Sequence, residues 1–221
     1  MCAKQSGDDK QVSVPAASMS GPELTPGPGR EDAHAQSVVA FLDFEASGLG
    51  AQSWPIEVGW AIAAAPKAYD DSSAWRGAPD DALEAVAAPP AEAALIAPDA
   101  RWSMDAWDPT AERLHGLSID CLRKDGAPAV QVCARLNAAL AGVRVYSDAT
   151  NWDGFWLMRL YEVGGLRPSF ELLDFAGLIR PLIGPHEAAF FEAAKAAPPR
   201  RHRAAPDAVH LRALFEIACA I

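Results

Sequence analysis

Five side chains in this 221-residue sequence have types and spacings suited to binding a hard cation and moving a proton: Asp43, Glu45, Asp153, His202 and Asp207. Asp43 and Glu45 stand two apart in Phe41-Leu42-Asp43-Phe44-Glu45, and residues two apart on a strand share a face. Two carboxylates at the end of a buried strand repel each other unless a cation lies between them. Asp153 opens a helical pattern in Asn151-Trp152-Asp153-Gly154, and Asp207 follows His202 by five positions. Singly, each has a plain structural reading as a solvated strand end, a helix-dipole partner or a loop histidine. Together they form an oxygen-rich set that suits Mg²⁺ or Mn²⁺ better than zinc. A histidine beside such a set titrates near neutrality and can take a proton from water.

The elements that must position these groups follow from apolar patterning. Residues 38–42 are an unbroken apolar run, expected as a central strand buried on both faces. A second strand is expected over 56–62 and a third over 94–97. Val130, Val132, Cys133, Leu136 and Leu140 recur at helical spacing, with Pro128 to open the helix and Gly142 to close it. A fourth strand is expected over 143–146. Next comes a helix over 152–162 capped by Asn151 and ended by Gly164-Gly165, then a fifth strand over 170–173. The remainder reads as helical. Strands first in a hairpin and then alternating with helices predict an α/β fold, a five-stranded mixed sheet flanked by helices.

Residues 1–36, rich in Ser, Pro and Gly, read as a disordered tail, leaving 37–221 as the folded domain. Within it, 63–91 reads as an acidic, Ala/Pro-rich insertion that repels phosphate and so lies away from any substrate groove. Lys plus Arg total 19 against 29 Asp plus Glu, a net charge of −10, which argues against a protein that coats nucleic acid through its phosphates. It leaves room for an enzyme that spends carboxylates on metal and touches one end of a strand. The four cysteines form no C-x-x-C pair and are expected as reduced thiols. The polar start MCAKQSGDDK and the lack of a long apolar run predict a soluble, cytoplasmic protein with no membrane span. Oligomeric state is not legible.

LDFEASGL at 42–49, SDATNWDGFWL at 147–157 and HRAAPDA at 202–208 resemble, in order, the three motifs of the DEDDh 3′–5′ exonucleases. Glu112 to Ser118, with His115-Gly116 at its centre, resembles that family's His-Gly-Ile segment, and the H-x₄-D spacing matches its histidine subclass. The departures are the acidic insertion and Asp148; neither removes a motif position. The resemblance implies a ribonuclease H-like fold and a 3′–5′ exonuclease. In such an enzyme Asp43, Glu45, Asp153 and Asp207 hold two divalent cations, Mg²⁺ or Mn²⁺, and His202 is the general base. Two cations can both activate water and steady the leaving 3′ oxygen.

The resemblance also implies that the backbone around Ala46 touches the terminal 3′ hydroxyl, that Leu49 wedges against the last base and that His115 walls the nucleotide pocket. The basic residues Lys195, Arg200, Arg201 and Arg203 flank His202, and Arg200 and Arg201 are read as guides for the scissile strand. Trp54 and Trp152 could stack on bases but read better as core, as do Phe155, Trp156, Leu157 and Leu160. So little basic surface favours short single-stranded RNA or DNA as partner. The alternative is a catalytically silent nucleic-acid-binding or interaction module on the same fold. A ribonuclease H-type endonuclease is disfavoured, because its chemistry does not need H-x₄-D.

Overall fold

Val38 to Ala46 form β1, the middle strand of a five-stranded sheet. The computed structural model describes residues 38–65 and 89–221, all within the unit Gln36–Ile221. The sheet order is β3-β2-β1-β4-β5, with β2 at Pro55–Ala64, β3 at Glu92–Leu95, β4 at Arg144–Ser147 and β5 at Glu171–Asp174. β1 runs antiparallel to β2 and parallel to β4; β2–β3 is antiparallel and β4–β5 parallel. This is the mixed α/β sheet expected from the alternation of elements.

The helices are α1 (Pro109–His115), α2 (Ile119–Asp125), α3 (Ala129–Leu140), α4 (Thr150–Gly164), α5 (Phe175–Ile183), α6 (Glu187–Ala194) and α7 (Ala204–Cys219). They divide between two cores, because side chains alternate along β1. Ala40, Leu42, Phe44 and Ala46 face a core shared with Leu136 of α3 and Leu157 and Leu160 of α4. Val39 and Phe41 face the other, with Ile179 of α5 and Leu211 and Phe215 of α7. Asp43 and Glu45 continue the Val39–Phe41 row, so they emerge where the second core ends, on the side covered by α7.

α7 packs across β1 and β2. A glycine makes that approach possible. A Cβ on Gly59 would lie 2.2 Å from the Ala204 carbonyl carbon and from the Ala205 nitrogen, far inside contact distance. Gly59 pairs with Asp43 across the β1–β2 ladder. The bare backbone at Gly59 thus lets the first turn of α7 settle directly beside the β1 carboxylates.

Several boundaries differ from the sequence expectation. β2 runs on to Ala64, so the expected insertion loses its first two residues to the strand. β3 lies two residues earlier than expected at each end, and Ile96 instead makes an isolated bridge to Ala127. Asn151 lies inside α4 and is not its cap; Ala149 occupies that position without a side-chain hydrogen bond. The turn is tied instead by Ser147, whose Oγ accepts from the Ala149 amide at 3.1 Å. The expected tail over 1–36, and 66–88 of the expected insertion, lie outside the described residues. Among those described, no helix is long and apolar enough to cross a membrane.

Candidate active site

The β1 carboxylates form one side of the site. Asp43 is buried and its Oδ2 has no hydrogen-bond partner. Burial pushes its carboxyl well above the ordinary range; the nearby charges of Asp153, Glu45 and Asp207 add to this, and Arg200 opposes it. Burial, followed by the charges of Asp207 and Glu57, pushes Glu45 up to about 8.

α4 brings Asp153 to the cluster from its first turn. Asp153 is buried and accepts a hydrogen bond from the Ser147 hydroxyl at the end of β4. Burial pushes it up to about 7, against the Ser147 hydroxyl and the Phe44 amide, which favour the charged form. From the opposite side α7 supplies Asp207, also buried. Its Oδ1 accepts from the Arg201 amide at 2.6 Å and its Oδ2 from the His202 amide at 3.2 Å. These bonds curl the preceding loop over the carboxylate and place His202 at φ +52°, left-handed backbone that costs a histidine on the order of 1 kcal/mol. The imidazole is exposed. Ligand atoms of Glu45, His202 and Asp207 all lie within 4.8 Å of one another.

The loop has a further tie that sequence reading missed. Glu57, buried opposite Glu45 on β2, accepts from Arg203 Nε at 2.9 Å and Nη2 at 2.7 Å, and from the Ala204 amide at 3.0 Å. Arg203 is therefore an anchor for the start of α7 and not a free cation. The available signal was Glu57 itself, a carboxylate within the apolar run Pro55-Ile56-Glu57-Val58, which burial obliges to find a partner.

The remaining predicted residues divide. His115, at the end of α1, is buried with its Nδ1 accepting from the Leu117 amide at 3.0 Å. That bond puts the ring proton on Nε2, which is buried without a partner. Burial, the largest effect, holds its pKa below the usual histidine value; His202 and Arg203 lower it further, whereas Glu112 and Glu57 oppose them. Ala46 is buried and Leu49 is 68% exposed, so Leu49 is outside the core. Arg200 pairs with Asp148, and its Nη1 lies 4.0 Å from Asp43 Oδ1. Arg201 is exposed and its side chain pairs with no carboxylate among the described residues. Lys195 pairs with Glu192. Only part of the expected basic flank is thus free to meet a strand.

The tryptophan expectation holds for Trp54, which is buried, stacked on Trp102 and bonded through Nε1 to the Ser103 carbonyl at 3.0 Å. It fails for Trp152, which is 37% exposed in the first turn of α4, beside the buried Asp153. Trp152 stacks on Trp156, itself fixed by Nε1 donating to the Ser53 Oγ at 2.9 Å.

A cluster of carboxylates, of which Asp43, Glu45 and Asp153 are raised chiefly by burial, an orphaned Asp43 oxygen and an adjacent imidazole fit a divalent cation with oxygen-rich coordination. Asp43, Glu45, Asp153 and Asp207 would supply carboxylate oxygens to it.

The sheet and this cluster define the chain as an α/β protein of ribonuclease H-like fold, with an acidic–histidine centre at the carboxyl end of its middle strand. Solved structures of exonuclease I are among those it resembles. One exonuclease I structure aligns with a TM-score of 0.60 at 13% identity, over 82% of this chain and 40% of that one. The zinc-bound E. coli enzyme in complex with single-stranded DNA aligns at 0.56 and 14%, over 83% and 40%. The E. coli enzyme with a dT13 oligonucleotide aligns at 0.56 and 13%, over 84% and 41%. At these identities the likeness concerns the fold, and the chain spans about two-fifths of the length of those proteins. No protein-family model and no curated protein matches the sequence.

Proposed function

We propose that this chain is a metal-dependent 3′–5′ exonuclease of the DEDDh type, releasing nucleotides from the 3′ end of short single-stranded RNA or DNA. The observation that carries the reading is convergence. Residues from three distant motifs meet at one point, with ligand atoms of Glu45, His202 and Asp207 within 4.8 Å and Asp153 close enough to Asp43 to raise its pKa. The single-stranded DNA held by fold neighbours supports the same substrate class. The three described cysteines are free thiols, which suits a reducing, cytoplasmic compartment.

In this reading Asp43, Glu45, Asp153 and Asp207 hold two Mg²⁺ or Mn²⁺ ions. Bound there, the ions supply positive charge for the phosphodiester and lower the pKa of water. The exposed imidazole of His202 accepts the proton of the attacking water, and its loop is held for that task by the two Asp207 bonds and the Glu57–Arg203 pair. The backbone around Ala46 and the exposed Leu49 meet the terminal nucleotide, Leu49 wedging at its base, and His115 walls the nucleotide pocket. Arg200 and Arg201 meet the phosphates.

The test is a time course on matched 5′-labelled RNA and DNA oligonucleotides with Mg²⁺, Mn²⁺ or chelator. Ladders shortening from the 3′ end only with metal are expected, and Asp153→Ala is expected to abolish them. Internal cuts, or cleavage in chelator, would overturn the assignment. Metal-dependent binding without any shortening would favour the silent binding module.

A further inference from the structure

We propose that Asp148 is a positioning residue, holding the Arg200 guanidinium at the mouth of the carboxylate cluster for a phosphate oxygen of the strand end. The inference rests on the nuclease reading and extends it to a residue that the motif comparison gave no role. Asp148 lies in the turn between β4 and α4, five residues before Asp153. The Ser147 hydroxyl bonds both the Ala149 amide and Asp153, so this turn has a fixed place relative to the cluster. Arg200 lies in the loop before α7, two residues before His202. Its Nη2 donates to Asp148 Oδ2, linking the two segments that carry Asp153 and His202.

The other end of the guanidinium explains why the link matters. Arg200 Nη1 stands 4.0 Å from Asp43 Oδ1, near enough for attraction but too far for a hydrogen bond. A guanidinium has five N–H donors in a rigid fork, so binding Asp148 leaves donors unspent. The side chain is 36% exposed, so these donors are open to a ligand. The neighbouring cations differ: Arg203 gives Nε and Nη2 to buried Glu57, and Lys195 pairs with Glu192. A phosphodiester brought against Asp43 therefore comes within reach of Arg200. Without Asp148, the guanidinium would close on Asp43 or swing into solvent.

Bulk charge and positioning make opposite forecasts for Asp148→Asn. Removing a negative charge from an acidic site should tighten phosphate binding by Coulomb attraction alone. Loss of an aimed guanidinium should weaken it. The experiment measures affinity of a short single-stranded oligonucleotide with phosphorothioate linkages at its 3′ end, in Mg²⁺, over a salt series. For Asp148→Asn, roughly tenfold weaker binding is expected, with the log–log salt slope falling by about 0.7, the loss of one single-strand phosphate contact. Arg200→Ser should lose the same amount, the double variant no more, and Asp148→Glu should recover wild-type behaviour. Asp148→Ser replaces Asp148→Asn if melting curves show that variant unfolded.

Wild-type or tighter affinity with an unchanged slope in Asp148→Asn would overturn the proposal. So would losses that add in the double variant. If wild type binds the oligonucleotide but never shortens an unmodified one, the nuclease reading fails while the slopes still decide this one. If wild type binds no oligonucleotide, both fall.

Discussion

Removing metal while raising the pH should destabilise this protein, and the carboxylate cluster sets the size of the effect. The folded chain keeps a proton on Glu45 up to about 8, whereas an ordinary glutamate gives it up near 4.5. Asp153 keeps its proton to about 7 against an ordinary 3.8. In each case the folded state binds more protons than the unfolded state between those limits, so stability falls as pH rises through the window. At about 1.4 kcal/mol per pH unit, the gap for Glu45 corresponds to about 5 kcal/mol and that for Asp153 to about 4. The two do not sum, because protonating one carboxyl relieves the repulsion on the other. For the cluster we take about 3–5 kcal/mol, on the order of 10 °C in melting temperature for a domain of this size.

The assay is a set of thermal melts by circular dichroism in EDTA from pH 5 to 8.5, repeated with Mg²⁺, for wild type and Glu45→Gln/Asp153→Asn. His115 works in the opposite direction, since burial holds its pKa down and its contribution to stability grows as pH rises. It is common to both proteins and cancels in their difference. Relative to the double variant, wild type should lose stability steadily toward pH 8.5 in EDTA. Mg²⁺ should restore it at pH 8.5 far more than at pH 5, because the ion binds the deprotonated carboxylates. A wild-type-minus-variant difference that stays flat, or grows with pH in EDTA, would refute the reasoning.

Other expectations concern how the site is held. His202→Asn should keep the fold, since asparagine tolerates left-handed backbone, yet lower nucleotide release by roughly 100-fold or more; melts paired with single-turnover assays check both. Glu57→Ala leaves Arg203 and the Ala204 amide without their shared partner and should cost about 2–3 kcal/mol in urea denaturation, less than a fully buried pair because Arg203 is partly exposed. Gly59→Ala forces a Cβ into the Ala204–Ala205 backbone, and a loss of about 1–3 kcal/mol with weaker Mn²⁺ binding by titration calorimetry should follow as α7 is pushed away.

The sequence by itself determined the succession of the five strands, the helices that became α3 and α4, and the row of chemistry on β1, but not α1 and α2. The two-residue period of a strand puts Asp43 and Glu45 on one face, in the row of Val39 and Phe41. Helical spacing marked α3 and most of α4, although the turn before α4 is tied by Ser147 and not by Asn151, since that choice depends on where β4 ends. What only the tertiary structure decided are the partners. Glu57 meets Arg203 across 146 positions, and Arg200 meets Asp148 across 52. No local period encodes such meetings, because they depend on how closely α7 can approach the sheet. That distance is set at Gly59, where the absence of one carbon brings the His202–Asp207 segment against the β1 carboxylates.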